Sequence, residues 1–94
     1  MAVHYKFKIE GDKPKTITLI GRQGWAMDQL VQAGATGCTP ITQPAPRWSA
    51  YVHQLRKRGF CIDTITETHG GPFSGYHARY VLRSRVSRVR PDAA

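Results

Sequence analysis

Polar and apolar residues alternate in "HYKFKIE" near the start of the chain. Tyr5, Phe7 and Ile9 fall on one side, and His4, Lys6 and Lys8 on the other. A period of two predicts a half-buried β-strand. "GDKP" follows with the composition of a turn. "TITLI" then predicts a second strand with Ile17 and Leu19 on one face, so residues 4–20 are expected to pair as a hairpin.

The period changes in "GRQGWAMDQLVQAG", where Met27, Leu30 and Val31 share a helical face with Ala26 and Ala33 beside it. Gly34 is placed to stop this helix. Trp25 falls at the margin of the packed face, and Gly24 is expected to weaken the first turn by up to ~1 kcal/mol relative to alanine. "GCTPITQPAP" combines an N-cap, Thr39, with a proline at the first helical position. Pro44 and Pro46 follow too soon for a long helix. One turn is expected at 40–43, with Ile41 as its apolar anchor.

Pro46 is suited to open the next helix, over 46–58. Trp48, Val52 and Leu55, spaced four and three, form its core stripe, with Tyr51 on the flank. Gly59 is expected to close it in the left-handed region. "FCIDTITE" alternates again, with Phe60 and Ile62 facing one way, and Cys61 is expected to be buried on this strand. "THGGPFSG" reads as a loop, and "YHARYVLRS" as a returning strand with Tyr80 and Leu82 inward. "RSRVSRVR" then sets arginines among small and apolar residues, as a continuing strand, a basic arm or a solubilising tail. The order is strand, strand, helix, short turn, helix, strand, loop, strand, without an internal repeat or interdomain linker. That is an α+β pattern.

Charge now narrows the partners. Fourteen Lys+Arg against six Asp+Glu give a formal net charge of +8 in 94 residues. Such a balance favours nucleic acid first, then an anionic membrane surface, then an acidic protein. Hydrophobic residues make up 40%, too many for a disordered polycation. No run approaches the ~18 apolar residues of a membrane span, and "MAVHYKFKIE" lacks the apolar core of a signal peptide. A soluble, cytoplasmic protein is expected, with no membrane partner. Cys38 and Cys61 are expected as free thiols. With His69 and His77 they show neither C-x2-C nor H-x3-H spacing, so no metal or other cofactor is expected.

A helix, a tight turn, a second helix and a hairpin with a glycine-rich tip follow one another. The stretches "YVHQLRKRGFCIDT" and "ARYVL" resemble the winged helix-turn-helix family common in phage and prophage genes. The likeness covers about residues 21–84 and is specific in "HQLRKRGF". It implies a winged helix-turn-helix with an added N-terminal β-hairpin. Residues 1–20 would be the hairpin extension, 21–84 the winged domain and 85–94 a basic C-terminal tail. The hairpin either extends the sheet or supports a homodimer.

The family likeness further implies that helix 46–58, about 20 Å long, reads a major groove of double-stranded DNA. Its outward residues are then Arg47, Ser49, Ala50, His53 and Gln54, with Tyr51 at the edge. Arg47 is matched to guanine and Gln54 to adenine. Lys57 and Arg58 either contact phosphate or, like Arg56, favour the negative helix end. Arg79, Arg83 and Arg85 are the expected phosphate contacts of the wing and the tail that follows. The tip "HGGPFSGYH" is a second candidate, through His69, His77 and its glycine amides. Arg22, near the start of the first helix, is a further candidate for a phosphate contact, but reads more readily as a solvated surface residue.

No enzyme is expected. Asp12, Asp28, Asp63 and Glu67 are scattered without obvious partners, "GGPFSG" is no P-loop, and Ser49 with His53 lacks a third group. The expected role is a small transcriptional regulator or an accessory of DNA transactions. The alternative is a protein-interaction module binding an acidic partner, which calls for exposed apolar residues on helix 46–58. RNA binding would need stacking platforms, for which only Tyr51, Phe73 and Tyr76 qualify.

Overall fold

A computed structural model describes residues 3–45, 47–70 and 75–89. Strands β1 (His4–Ile9) and β2 (Lys15–Ile20) form the expected antiparallel hairpin, with Phe7 opposite Ile17. Helix α1 (Gly21–Ala33) follows directly, and the Gly34 N–H bonds the Leu30 carbonyl at its end. A 3-10 turn (Gly34–Thr36) comes next. Helix α2 (Trp48–Lys57) then leads into the wing strands β3 (Ile62–His69) and β4 (Gly75–Leu82), paired antiparallel. Strand β5 (Val86–Val89) returns to the first hairpin and pairs with β1, giving the sheet order β2-β1-β5. None of the three readings of "RSRVSRVR", a continuation of the preceding strand, an arm or a solubilising tail, therefore describes residues 86–89, which leave β4 and join the other sheet. They form a third strand.

Helix α1 lies across the inner face of this sheet. Alternation puts Phe7 and Leu19 inward, where they join Ala26, Met27 and Leu30 of α1 in one core. Val52, Leu55 and Trp48 of α2, with Phe60, Ile62 and Tyr80, extend the same core to the wing. Gly24 is buried for a reason that helix propensity does not reveal. A Cβ there would stand 2.2 Å from Cδ2 and 2.8 Å from Cγ of the Tyr5 ring. The glycine lets α1 approach β1.

Between the helices, Cys38 forms an antiparallel bridge with Tyr80, adding a short third edge to the wing. Thr39 is a true N-cap. Its Oγ1 accepts from the Ile41 and Thr42 N–H groups at 3.1 and 2.9 Å, and its own N–H points back to Thr42 Oγ1 and Gln43 Oε1. The Gln43 N–H reaches the Thr39 carbonyl at 2.9 Å, closing a single turn. Ile41 does not anchor that turn; it is 57% exposed. Anchorage comes from buried Cys38, Thr39 and Ala45 and from Trp48 Nε1, which donates to the Gln43 carbonyl at 2.6 Å.

The expected start of the second helix at Pro46 lies outside the described residues, as do the wing tip at 71–74, with Phe73, and the chain from residue 90. Helix α2 begins at Trp48, with Arg47 at its N-cap, and ends at Lys57. Phe60 N–H then bonds the Leu55 carbonyl and Gly59 N–H the Arg56 carbonyl, at 3.2 and 3.1 Å. That is a Schellman ending, and Gly59 has the positive φ it requires, 99°.

Cys61 is placed oppositely to expectation. Cys61 is exposed, because its neighbours Phe60 and Ile62 both turn inward and alternation sends it out. Cys38 is the buried thiol, and burial pushes its pKa up to about 11 against a smaller opposing pull from Arg79. On β4, Tyr80 is buried as expected, but Val81 is buried too, whereas Leu82 is only half-buried. The chain before the Cys38 bridge covers the second face of this strand.

Replacing Gly24 by alanine tests the α1–β1 approach. Helix propensity alone predicts a gain of up to ~1 kcal/mol. The contact with the Tyr5 ring predicts instead a loss of about 1–3 kcal/mol, read from urea unfolding. A more stable Gly24→Ala protein would contradict the packing described.

Candidate nucleic-acid interface

Helix α2 is amphipathic. Trp48, Val52 and Leu55 are buried, and the opposite side carries no carboxylate. Ser49, His53, Gln54 and Lys57 are exposed, and Ala50 is half-buried. Tyr51 is half-buried on the flank, edge-on to Trp48 with ring centroids 6.4 Å apart. Arg47 is exposed at the N-cap, and Arg58 at the C-cap sends Nη2 to the Thr18 carbonyl at 3.4 Å. Periodicity therefore placed the outward residues of this helix correctly.

Several arginines have other engagements. Arg56 donates through Nε and Nη2 to the Ile62 carbonyl, at 3.1 and 2.7 Å, and through Nη2 to Thr64 Oγ1 at 2.8 Å. It fastens the wing to α2. Arg88 pairs with Asp28 of α1 at 3.2 Å and lies 4.7 Å from the centre of the Tyr5 ring. Arg79, expected as a phosphate contact, donates through Nε to Glu67 at 2.6 Å and through Nη1 to the Thr36 carbonyl at 2.9 Å. It ties the wing to the turn after α1, which is a scaffold role. Arg83 pairs with Asp63 at 2.7 Å but remains half-exposed. Arg85 is exposed, and no hydrogen bond or ion pair of its side chain occurs among the described residues.

Three carboxylates that looked partnerless in the sequence thus have partners. Asp28 meets Arg88, Asp63 meets Arg83, and Glu67 meets both Arg79 and His77. For Glu67 the pairing is created by strand register, which sets it opposite His77, and for Asp28 by the packing of α1 against β5. No local spacing reports it. Among the described residues, no group of three or more His, Cys, Asp or Glu could hold a metal ion.

An open groove of about 400 Å3 separates the first half of α2 from the start of α1. Ile20, Arg22 and Gln23 line one side, and Arg47, Ala50, Tyr51 and Gln54 the other. The first turn of α1 contains no acidic residue. Arg22, read from the sequence more readily as solvated than as a phosphate contact, lines the same groove as Arg47. Nothing in the local pattern signals this, since the groove joins segments more than twenty residues apart.

A short one-turn helix set before α2, with a two-stranded wing after it and a bridge strand at Cys38, defines the arrangement. A family model described as a winged helix domain matches residues 16–92. The chain belongs to the winged-helix family. The match takes in β2 and β5 as well as the helices and wing, so it reaches beyond the part of the chain that carried the resemblance. No curated protein and no solved structure matches the chain. A winged-helix domain is in general a DNA-binding or regulatory module. No described helix is long and apolar enough to cross a membrane.

The Arg79 hydrogen bond, aided by His77, holds the Glu67 carboxyl below the usual glutamate range. A carboxylate lowered in this way adds stability above its ordinary pKa of about 4.3. That contribution disappears as pH falls through the lowered value. Glu67→Gln is therefore expected to melt below the wild type at neutral pH, and the difference should shrink below about pH 4. Melting temperatures across a pH series measure this. A gap of constant size at every pH would contradict the pairing.

Proposed function

We propose that this winged-helix domain binds double-stranded DNA, with α2 in the major groove and the wing along the backbone. It would act as a small transcriptional regulator or accessory of DNA transactions, of phage or bacterial type. One observation carries the reading. The outward face of α2, from Ser49 through His53 and Gln54 to Lys57, is polar or cationic and has no carboxylate. A ten-residue helix fits the groove, and its N-terminal half is the part that reaches base edges. Ser49, Ala50, His53 and Gln54 are then the base-facing group, with Lys57 and Arg58 toward phosphate. Arg83 and Arg85 supply contacts beyond the helix. Arg79 is better assigned to holding the wing.

The same face argues against a protein-docking role for α2. The exposed large apolar residues among those described are Val3, Ile20, Ile41, Ile65, Tyr76 and Val89, none of them on this helix. A docking face would place such residues at its centre.

Fluorescence anisotropy with random-sequence duplex DNA tests the reading. Affinity should fall steeply between about 50 and 200 mM salt, as several released counterions require. Lys57→Ala should reduce the salt slope by about 1 and weaken binding evenly across sequences. Arg79→Ala should lower the melting temperature while the folded fraction keeps its slope. Absence of binding by folded protein at about 50 mM salt would contradict the proposal.

A further inference from the structure

The two flanks of α2 differ. On the wing side, Arg56 is closed off by three hydrogen bonds to β3. On the other side, Arg47, Tyr51, Gln54 and Arg58 follow at intervals of three and four and so form one edge of the helix. At its N-terminal end this edge meets Arg22 across the open groove. At its C-terminal end it meets β2. There Arg58 reaches the Thr18 carbonyl, and Lys15 Nζ lies 3.6 Å from where a Cβ on Gly59 would stand. The side chains of Arg22, Arg47 and Lys15 have no hydrogen bond or ion pair among the described residues, and no carboxylate lines the groove.

We propose that this flank is a phosphate rail. One backbone of the duplex whose major groove holds α2 lies along it, with Arg22 and Arg47 at one end and Lys15 and Arg58 at the other. The inference rests on the DNA reading above and adds a role for the N-terminal hairpin. Strand β2 is the wall that faces the rail and carries Lys15. The two ends stand apart by roughly the length of α2, about 15 Å. A DNA strand carries one phosphate per ~3.4 Å of axis, so both ends can be engaged by the same backbone. The Tyr51 hydroxyl adds a neutral donor between them. Arg47 then serves the backbone rather than a guanine, because it shares its groove with another arginine.

The full chain and random-sequence duplex provide the test. Arg22→Gln with Lys15→Gln should reduce the salt slope by about 2, near 1 per lost phosphate contact, and by the same amount on unrelated sequences. Lys6→Gln with Lys8→Gln removes equal charge from the outer face of the β2-β1-β5 sheet, and should change the slope much less. All four side chains are exposed, so melting temperatures should stay close to wild type. The rail is wrong if wild type binds and the Arg22/Lys15 pair keeps its slope. It is equally wrong if the Lys6/Lys8 pair loses as much. No binding by folded wild type overturns the DNA reading and the rail together.

Discussion

Four parts of this fold meet at the Trp48 side chain. Its ring stacks on Tyr80 of the wing, with centroids 6.0 Å apart, and packs against Trp25 of α1 at 5.5 Å. Its indole N–H holds the Gln43 carbonyl at the end of the one-turn helix. Aromatic pairs of this kind contribute about 0.5–1.5 kcal/mol beyond burial, but their directional effect matters more here. Trp48 is the first residue of α2. Fixing its direction fixes which way Ser49, His53 and Gln54 point. Prolines leave too little chain for an ordinary second helix, and the Trp48–Gln43 bond sets the angle between the turn and α2 in its place.

The formal charge of +8 overstates what is free to meet a partner. Arg56, Arg79 and Arg88 hold wing to helix, wing to turn and β5 to α1, with Glu67 and Asp28 as their acidic partners. Of the cations that remain open, Lys15, Arg22, Arg47, Lys57 and Arg58 lie on the outward side of α2 or on its flank toward α1 and β2. Lys6 and Lys8 lie instead on the outer face of the sheet, and Lys13 and Arg85 in the segments between strands. The group beside α2 is the one placed where a polyanion would lie along the helix.

Much of this was legible from periodicity. Strands β1 and β2, the core stripe of α2 and the stop at Gly59 all follow from local pattern, because each is decided within a few residues. What the pattern could not supply depends on contacts distant in the chain. Val86–Val89 become a strand because β1 offers a free edge. Ile41 is exposed because Thr39 and Trp48 already secure its turn, and Gly24 is needed because Tyr5 crosses above it. The site divided the same way. The outward residues of α2 were readable, whereas the engagement of Arg79 and the placing of Arg22 and Lys15 required the fold.

The central claim is that the outward face of α2 is the surface that meets DNA. Amide NMR shifts during titration with a short duplex locate that surface directly. The account predicts that the largest changes fall on Ser49, Ala50, His53, Gln54 and Lys57, with the neighbouring flank next. Changes centred instead on Lys6 and Lys8 of the outer sheet face, with α2 unmoved, would contradict it.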